Sequence, residues 1–166
     1  MKISDLLKNE ILPFEIDDDK LRKLFSFFLH SAPTIGSTTS IMISEERLEH
    51  NWDNYISLFA KESYRFISSS CSIEKYLEQY HLENDSEVKR NTRGFVCKYR
   101  DTTEKDYTCL LRHIRNAIAH NHVSFLNAGN RKFVLFEDYN DNTKKCNSRI
   151  LLSQTDLQRL KTKIIE

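Results

Sequence analysis

The sequence predicts a mainly α-helical domain: a helical bundle with a small β-hairpin, or three short strands, after its most informative helix, and a helix at the C-terminal end. Three observations point there. Only three Gly and two Pro occur in 166 residues, and so few breakers favour long helices over many short strands. Apolar residues recur at helical spacing through most of the chain. The composition, 39% hydrophobic and 30% charged, is that of an ordinary globular protein. A chain of this length suits one domain, 1–166.

Ser4-Asp5 reads as the cap of a short first helix carrying Leu6, Leu7, Ile11 and Leu12, which Pro13 ends. Asp17-Asp18-Asp19 places negative charge where a helix N-terminus favours it, and Leu21, Leu24, Phe25, Phe28 and Leu29 follow at helical spacing. Residues 31–43, with Pro33, Gly36 and a Ser/Thr run, read as loop. From Ser44, the residues Leu48, Trp52, Tyr55, Phe59 and Phe66 fall on one face of a long helix, an aromatic stripe expected in the core. Ile73, Tyr76, Leu77 and Tyr80 suggest another helix, while Gly94 leaves 84–100 ambiguous. Thr103 and Asp106 fit a capping box ahead of the next helix. Beyond it, His122–Phe125 and Lys132–Phe136 are rich in β-formers and flank Asn127-Ala128-Gly129-Asn130, a hairpin pattern, with Arg149–Leu152 as a third short strand. Ser153 with Asp156 caps a final helix carrying Leu157, Leu160 and Ile164.

Net charge is +1, yet the charge is uneven. Between Val88 and Arg115, eight basic residues face three acidic ones, a local excess of +5, balanced near the N-terminus by Glu15, Asp17, Asp18 and Asp19. Phe95, Tyr99 and Tyr107 interleave with the basic residues, a pattern suited to phosphate backbones and equally to a solvated helix face. The four cysteines make no C-x-x-C pair, and no signal peptide or membrane-length apolar run is present, so a reduced, cytoplasmic protein is expected. Three scattered glycines make no phosphate loop, which argues against ATP hydrolysis. Cys109, His113 and His120 lack a fourth ligand at zinc spacing, so no metal and no cofactor are expected.

The chemistry concentrates in residues 107–121. On a wheel at about 100° per residue, Tyr107, Leu110, Leu111, Ile114, Ala117 and Ile118 form one apolar arc. Arg112, His113, Arg115, Asn116, Ala119 and His120 share the other side with Thr108 and Cys109. Imidazole, with an ordinary pKa of about 6.5, moves protons near neutrality. Guanidinium holds phosphate oxygens and offsets charge built in a transition state. An amide at i, i+4 from His120 can orient the ring or bind substrate. An Arg followed five residues on by a His is expected about 0.4 times by chance in this composition, so the weight lies in the surrounding context.

The stretch from Leu110 to Val123, with Arg115, Asn116 and His120 in an R-N-x3-H arrangement, resembles the HEPN superfamily, small helical domains whose hallmark is R-x4–6-H. Specific resemblance covers about residues 105–125, and the layout on either side is compatible with it. The resemblance implies a metal-independent endoribonuclease acting as a homodimer, with motif helices of two copies forming one cleft. Such domains serve as toxins, abortive-infection effectors in antiviral defence, and RNA-processing enzymes. Arg115 takes the place of the motif Arg, Asn116 of the adjacent polar residue and His120 of the motif His. Arg112 and His113 are weighed between RNA contact and surface. In HEPN toxins paired with nucleotidyltransferase antitoxins a Tyr lies two residues after the His. Here His122 stands there, so no such partner is assigned, and His122 is read as the start of a strand. The alternative reading is a non-catalytic HEPN module that binds RNA, a nucleotide or a partner protein.

Overall fold

The computed structural model describes residues 1–34 and 41–165, so part of the loop expected at 31–43 lies outside the described residues. Helices are α1 (Ile3–Leu7), α2 (Asp19–Ser26), α3 (Glu45–Ile56), α4 (Glu74–Gln79), α5 (Asp106–Ala119) and α6 (Gln154–Ile165). Strands are β1 (Glu10–Ile11), β2 (Tyr64–Ile67), β3 (Gly94–Lys98), β4 (Val123–Ala128), β5 (Arg131–Tyr139) and β6 (Cys146–Ser153). All six strands join one sheet in the order β1-β4-β5-β6-β3-β2, antiparallel except for the β2–β3 pair. The expected mainly α-helical bundle with a small hairpin is therefore incorrect. The protein is a mixed α/β domain organised on a central sheet.

The misreading has a physical cause. The sheet is covered on both faces. Phe95, Cys97, Val134, Phe136, Ile150 and Leu152 meet α2, α3, α5 and α6. Val96, Phe133, Leu135 and Leu151 meet Ile3 and Leu6 of α1 and Leu77 of α4, together with Ile73, Leu82 and Val88. Successive residues of a strand point to opposite faces, so a strand buried on both sides shows no alternation of apolar and polar residues. Gly94–Lys98 is such a strand, and its short apolar run carries no period to distinguish strand from helix.

The aromatic stripe is real but not one helix. As expected, Ser44 caps α3, its side chain accepting the Arg47 N–H, but the helix ends at Ile56. Phe66 reaches the same cluster from β2, its ring centroid 6.2 Å from Trp52 and 5.4 Å from Phe95. Asp18 caps α2 by accepting the Leu21 N–H at 3.1 Å, and the chain continues as a π-helical turn, Phe27–Ser31. The first helix stops at Leu7, and Ile11 belongs to β1. The expected hairpin is β4–β5, with Gly129 at φ +60° in its turn and β6 as the next strand. Ser153 and Asp156 form the reciprocal cap of α6, each backbone N–H donating to the other's side chain at 3.1 Å. Thr103 does not cap α5. It donates to Asp101, and Lys105 is the N-cap.

Gly94 marks where β3 passes closest to the segment leading into β2. A Cβ there would stand 2.1 Å from the Ser63 carbonyl oxygen, a backbone atom that cannot swing aside. Gly94→Ala should cost about 2–4 kcal/mol in urea unfolding. Gly129→Ala meets no atom within 4 Å and carries only its left-handed φ, so its cost should stay nearer 1–2 kcal/mol, about the usual penalty of that conformation.

Candidate active site

Helix α5 lies across the sheet with Tyr107, Leu110, Leu111, Ile114, Ala117 and Ile118 buried, the arc expected from the wheel. Cys109 and His113 are buried as well, against that expectation. The reason is what faces them. His113 is 1% exposed, with Nε2 2.8 Å from the Lys98 carbonyl oxygen and Nδ1 2.8 Å from Asp138 Oδ2. Nε2 also lies 3.3 Å from Arg112 Nη2, so the ring is enclosed by polar partners on both of its nitrogens. Asn116 Nδ2 donates to the same Asp138 oxygen at 3.1 Å. Burial opposes the charge on Asp138, but the hydrogen bond and charge of His113, then Asn116 and Arg112, together hold its carboxyl below the ordinary range.

Arg112 is also committed. Its Nε donates to Glu104 Oε1 at 2.6 Å, and its Nη2 donates to Glu104 Oε2 at 3.1 Å and to the Lys98 carbonyl at 3.2 Å. This fork on a carboxylate whose side chain is 1% exposed ties the middle of α5 to the segment just before it, and the bond to Lys98 ties it to the end of β3. Burial opposes ionisation of Glu104 too, and Arg112 outweighs it, leaving the carboxyl lowered. Arg112 and His113, weighed in the sequence as RNA contacts, are thus occupied inside the domain.

The motif proper occupies the last turns of α5. Arg115 and Asn116 are half-buried, and His120 is exposed at the C-cap. Beyond His120, Asn121 takes the left-handed conformation at φ 60°. The Asn121 N–H donates to the Ile118 carbonyl at 3.3 Å, and the His122 N–H to that of Ala117 at 2.8 Å. This Schellman arrangement satisfies the helix's last carbonyls and fixes the turn into β4. The Glu137 N–H then donates to the His122 carbonyl at 3.0 Å, docking the turn on β5. The side chain of Asn116 holds Asp138, and its carbonyl accepts the His120 N–H at 3.0 Å.

Beyond His120 stand two aromatic neighbours and a hollow that His120, Arg115 and Asn116 do not line. The His120 and His122 ring centroids are 6.3 Å apart, and Tyr139 meets His122 edge-on at 5.1 Å. A hollow of about 340 Å³ adjoins them, lined by His122, Tyr139, Asn140, Asp141 and Lys144. His122 stands just ahead of β4, and it also forms a wall of this hollow. Asp138 and Tyr139 were not anticipated. They sit in an apolar strand, and only the fold brings them to α5. Among the described residues no three His, Cys, Asp or Glu side chains gather as a metal site.

A helix packed on a sheet, ending in an exposed His with an Arg and an Asn on its last turns, defines a domain with an R-x4-H site. The family model HEPN pEK499 p136 matches residues 38–166, and the chain belongs to that HEPN family. The matched span holds α3 to α6 and β2 to β6, including the whole motif. No curated protein and no solved structure gave a match.

Asp138→Ala should leave the His113 and Asn116 donors without their buried acceptor and lower stability by about 1–3 kcal/mol for each. The acid limb follows from the same groups. Their folded carboxyls titrate below the unfolded values, so the stability they contribute is present above those values and is lost as pH falls through the folded ones. Thermal melts of the wild type should therefore hold from neutrality to about pH 5 and fall below pH 4. Asp138→Asn should flatten that fall.

Proposed function

We propose that the protein is a metal-independent endoribonuclease of the HEPN type, acting as a toxin or an antiviral-defence effector. The observation that carries this reading is the position of His120, exposed at the C-cap with its ring 6.3 Å from that of His122, and with Arg115 and Asn116 on the turns just before it. The proposed reaction needs no group beyond this set. The His120 imidazole removes the proton of an RNA 2′-OH, and the oxygen attacks the adjacent phosphorus. The bond from phosphorus to the 5′ oxygen breaks, and an imidazolium returns a proton to that leaving oxygen. The products are a 2′,3′-cyclic phosphate and a 5′-OH. Arg115 offsets charge on the phosphoryl oxygens, and Asn116 positions through Asp138.

The active unit proposed is a two-fold homodimer. Arg115 and His120 lie five residues apart, about 140° around the helix, so one arc does not flank a phosphate from both sides. A second copy supplies the opposite face, with one His as base and its mate as acid, through an isologous contact. The partner that fits this reading is an antitoxin or a defence-system protein that keeps such an activity in check. The second reading, a non-catalytic HEPN module, draws on one observation: the amide of Asn116 is engaged by Asp138 instead of orienting the His120 ring.

Cleavage of total cellular RNA should persist in EDTA, and activity that vanishes with chelator and returns with Mg²⁺ would overturn the metal-free mechanism. His120→Ala should lose about 10²–10⁴-fold in rate, and Arg115→Ala a similar amount, with melting temperatures little changed. His122→Ala should be milder. Mixing the two inactive variants should restore part of the activity if motifs from two copies share a cleft, whereas a fully active 19.7 kDa monomer would end the dimer reading.

A further inference from the structure

The opposite end of the sheet carries a second charged feature. Where β3 and α6 begin and β6 ends, a hollow of about 530 Å³ is lined by Arg90, Arg93, Arg131, Thr155, Asp156 and Arg159, among others. A second hollow of about 810 Å³ adjoins it, shares Arg90, Asn91, Arg131 and Phe133, and adds Lys89. Asp156 is the one carboxylate among the residues lining either hollow, and Arg93 neutralises it at 2.6 Å. Among the described residues, Lys89, Arg90, Arg131 and Arg159 make no ion pair.

Arg131 is held without being neutralised. Its Nε donates to the Arg90 carbonyl and its Nη2 to Asn91 Oδ1, each at 2.9 Å. Both acceptors are uncharged, so the guanidinium is oriented while its charge remains available. The one aromatic lining residue, Phe133, is 3% exposed and offers no face for a base to stack on. A site with several cations outside ion pairs, one of them oriented, and no stacking platform suits phosphates and not bases. Two adjoining hollows with shared walls suit a strand better than a single small anion.

We infer that this groove binds the sugar–phosphate backbone of an RNA strand through Arg90, Arg131 and Arg159. The identity of the polyanion as RNA rests on the reading proposed above. Arg131 and Tyr139 stand at opposite ends of β5, roughly 27 Å apart at the usual rise of a strand. The groove therefore holds a part of the substrate remote from the scissile phosphate, and it serves affinity and not the chemical step.

The test measures binding without cleavage. In a His120→Ala background, fluorescence anisotropy follows a labelled 20-nucleotide single-stranded RNA across a salt series. Arg131→Gln with Arg159→Gln should weaken binding about tenfold at low salt. The slope of log affinity against log salt should fall by about 1.4, near 0.7 for each phosphate no longer neutralised. Arg159→Gln alone should give about half that change in slope, and it guards against loosening of the loop that Arg131 ties down. Unchanged affinity and slope in folded variants overturn the inference. So does displacement of the RNA by inorganic pyrophosphate at an ionic strength where chloride displaces none, since that marks a small-anion site. A wild type that cleaves nothing while this binding loss persists would refute the nuclease reading and leave the groove standing.

Discussion

The carboxylate of Asp138 is the point on which the functional half of the molecule depends. It is buried at the end of β5 and receives hydrogen bonds from two residues of α5, His113 and Asn116, three positions apart on one helix face. Burying a carboxylate is unfavourable unless charge and hydrogen bonds compensate, and here both are supplied by the helix that carries the motif. The interaction therefore sets the rotation of α5 about its axis as well as its position along the strand. The fork of Arg112 on Glu104 fixes the helix further toward its start, and the Schellman turn fixes its end. Between these points Arg115 and His120 have little freedom to move with the backbone.

The features legible in the sequence are those written in local chemistry. The capping residues of α2, α3 and α6, the hairpin around Gly129 and the apolar arc of α5 each depend on neighbours a few residues away. The features that are not legible depend on distant partners. β3 is apolar because both of its faces are covered, and no residue within the strand reports what covers it. Phe59 and Phe66 keep the helical spacing of α3 by coincidence of position, since each reaches the same aromatic cluster by a different route. At the site, Arg115, Asn116 and His120 are singled out by their spacing together with the helix and hairpin pattern around it. The partner of Asn116 is not, because Asp138 lies 22 residues on in a strand that otherwise reads as core.

The two histidines of α5 show how far burial, and not residue type, decides a role. His113 and His120 lie seven positions apart, about two turns, so the wheel places them on nearly the same side. The helix stays packed through Ile118 and becomes exposed only at Ala119 and His120. His113 is enclosed between Lys98 and Asp138 and held by hydrogen bonds within the packing, while His120 stands past the last helical residue in solvent. A similar division splits the basic segment from Val88 to Arg115. Arg100, Lys105 and Arg112 pair with carboxylates, whereas Lys89 and Arg90 lie at the far end of the sheet. A run of charge in the sequence is thus not one surface in the fold.

The rigidity of α5 bears on how the motif becomes complete. A helix free to rotate or slide would bring Arg115 and His120 to one phosphate by rearrangement within a single chain. Here such a rotation would pull His113 and Asn116 away from Asp138 and leave a buried carboxylate without its donors, a loss on the order of several kcal/mol. It would also break the turn that docks His122 on β5. Rearrangement is the unfavourable route, and addition is the easier one. On the proposed reading, the exposed C-terminal end of α5 meets its counterpart from a second copy without disturbing any of these contacts, so the interactions that fix one half-site also favour its completion by symmetry.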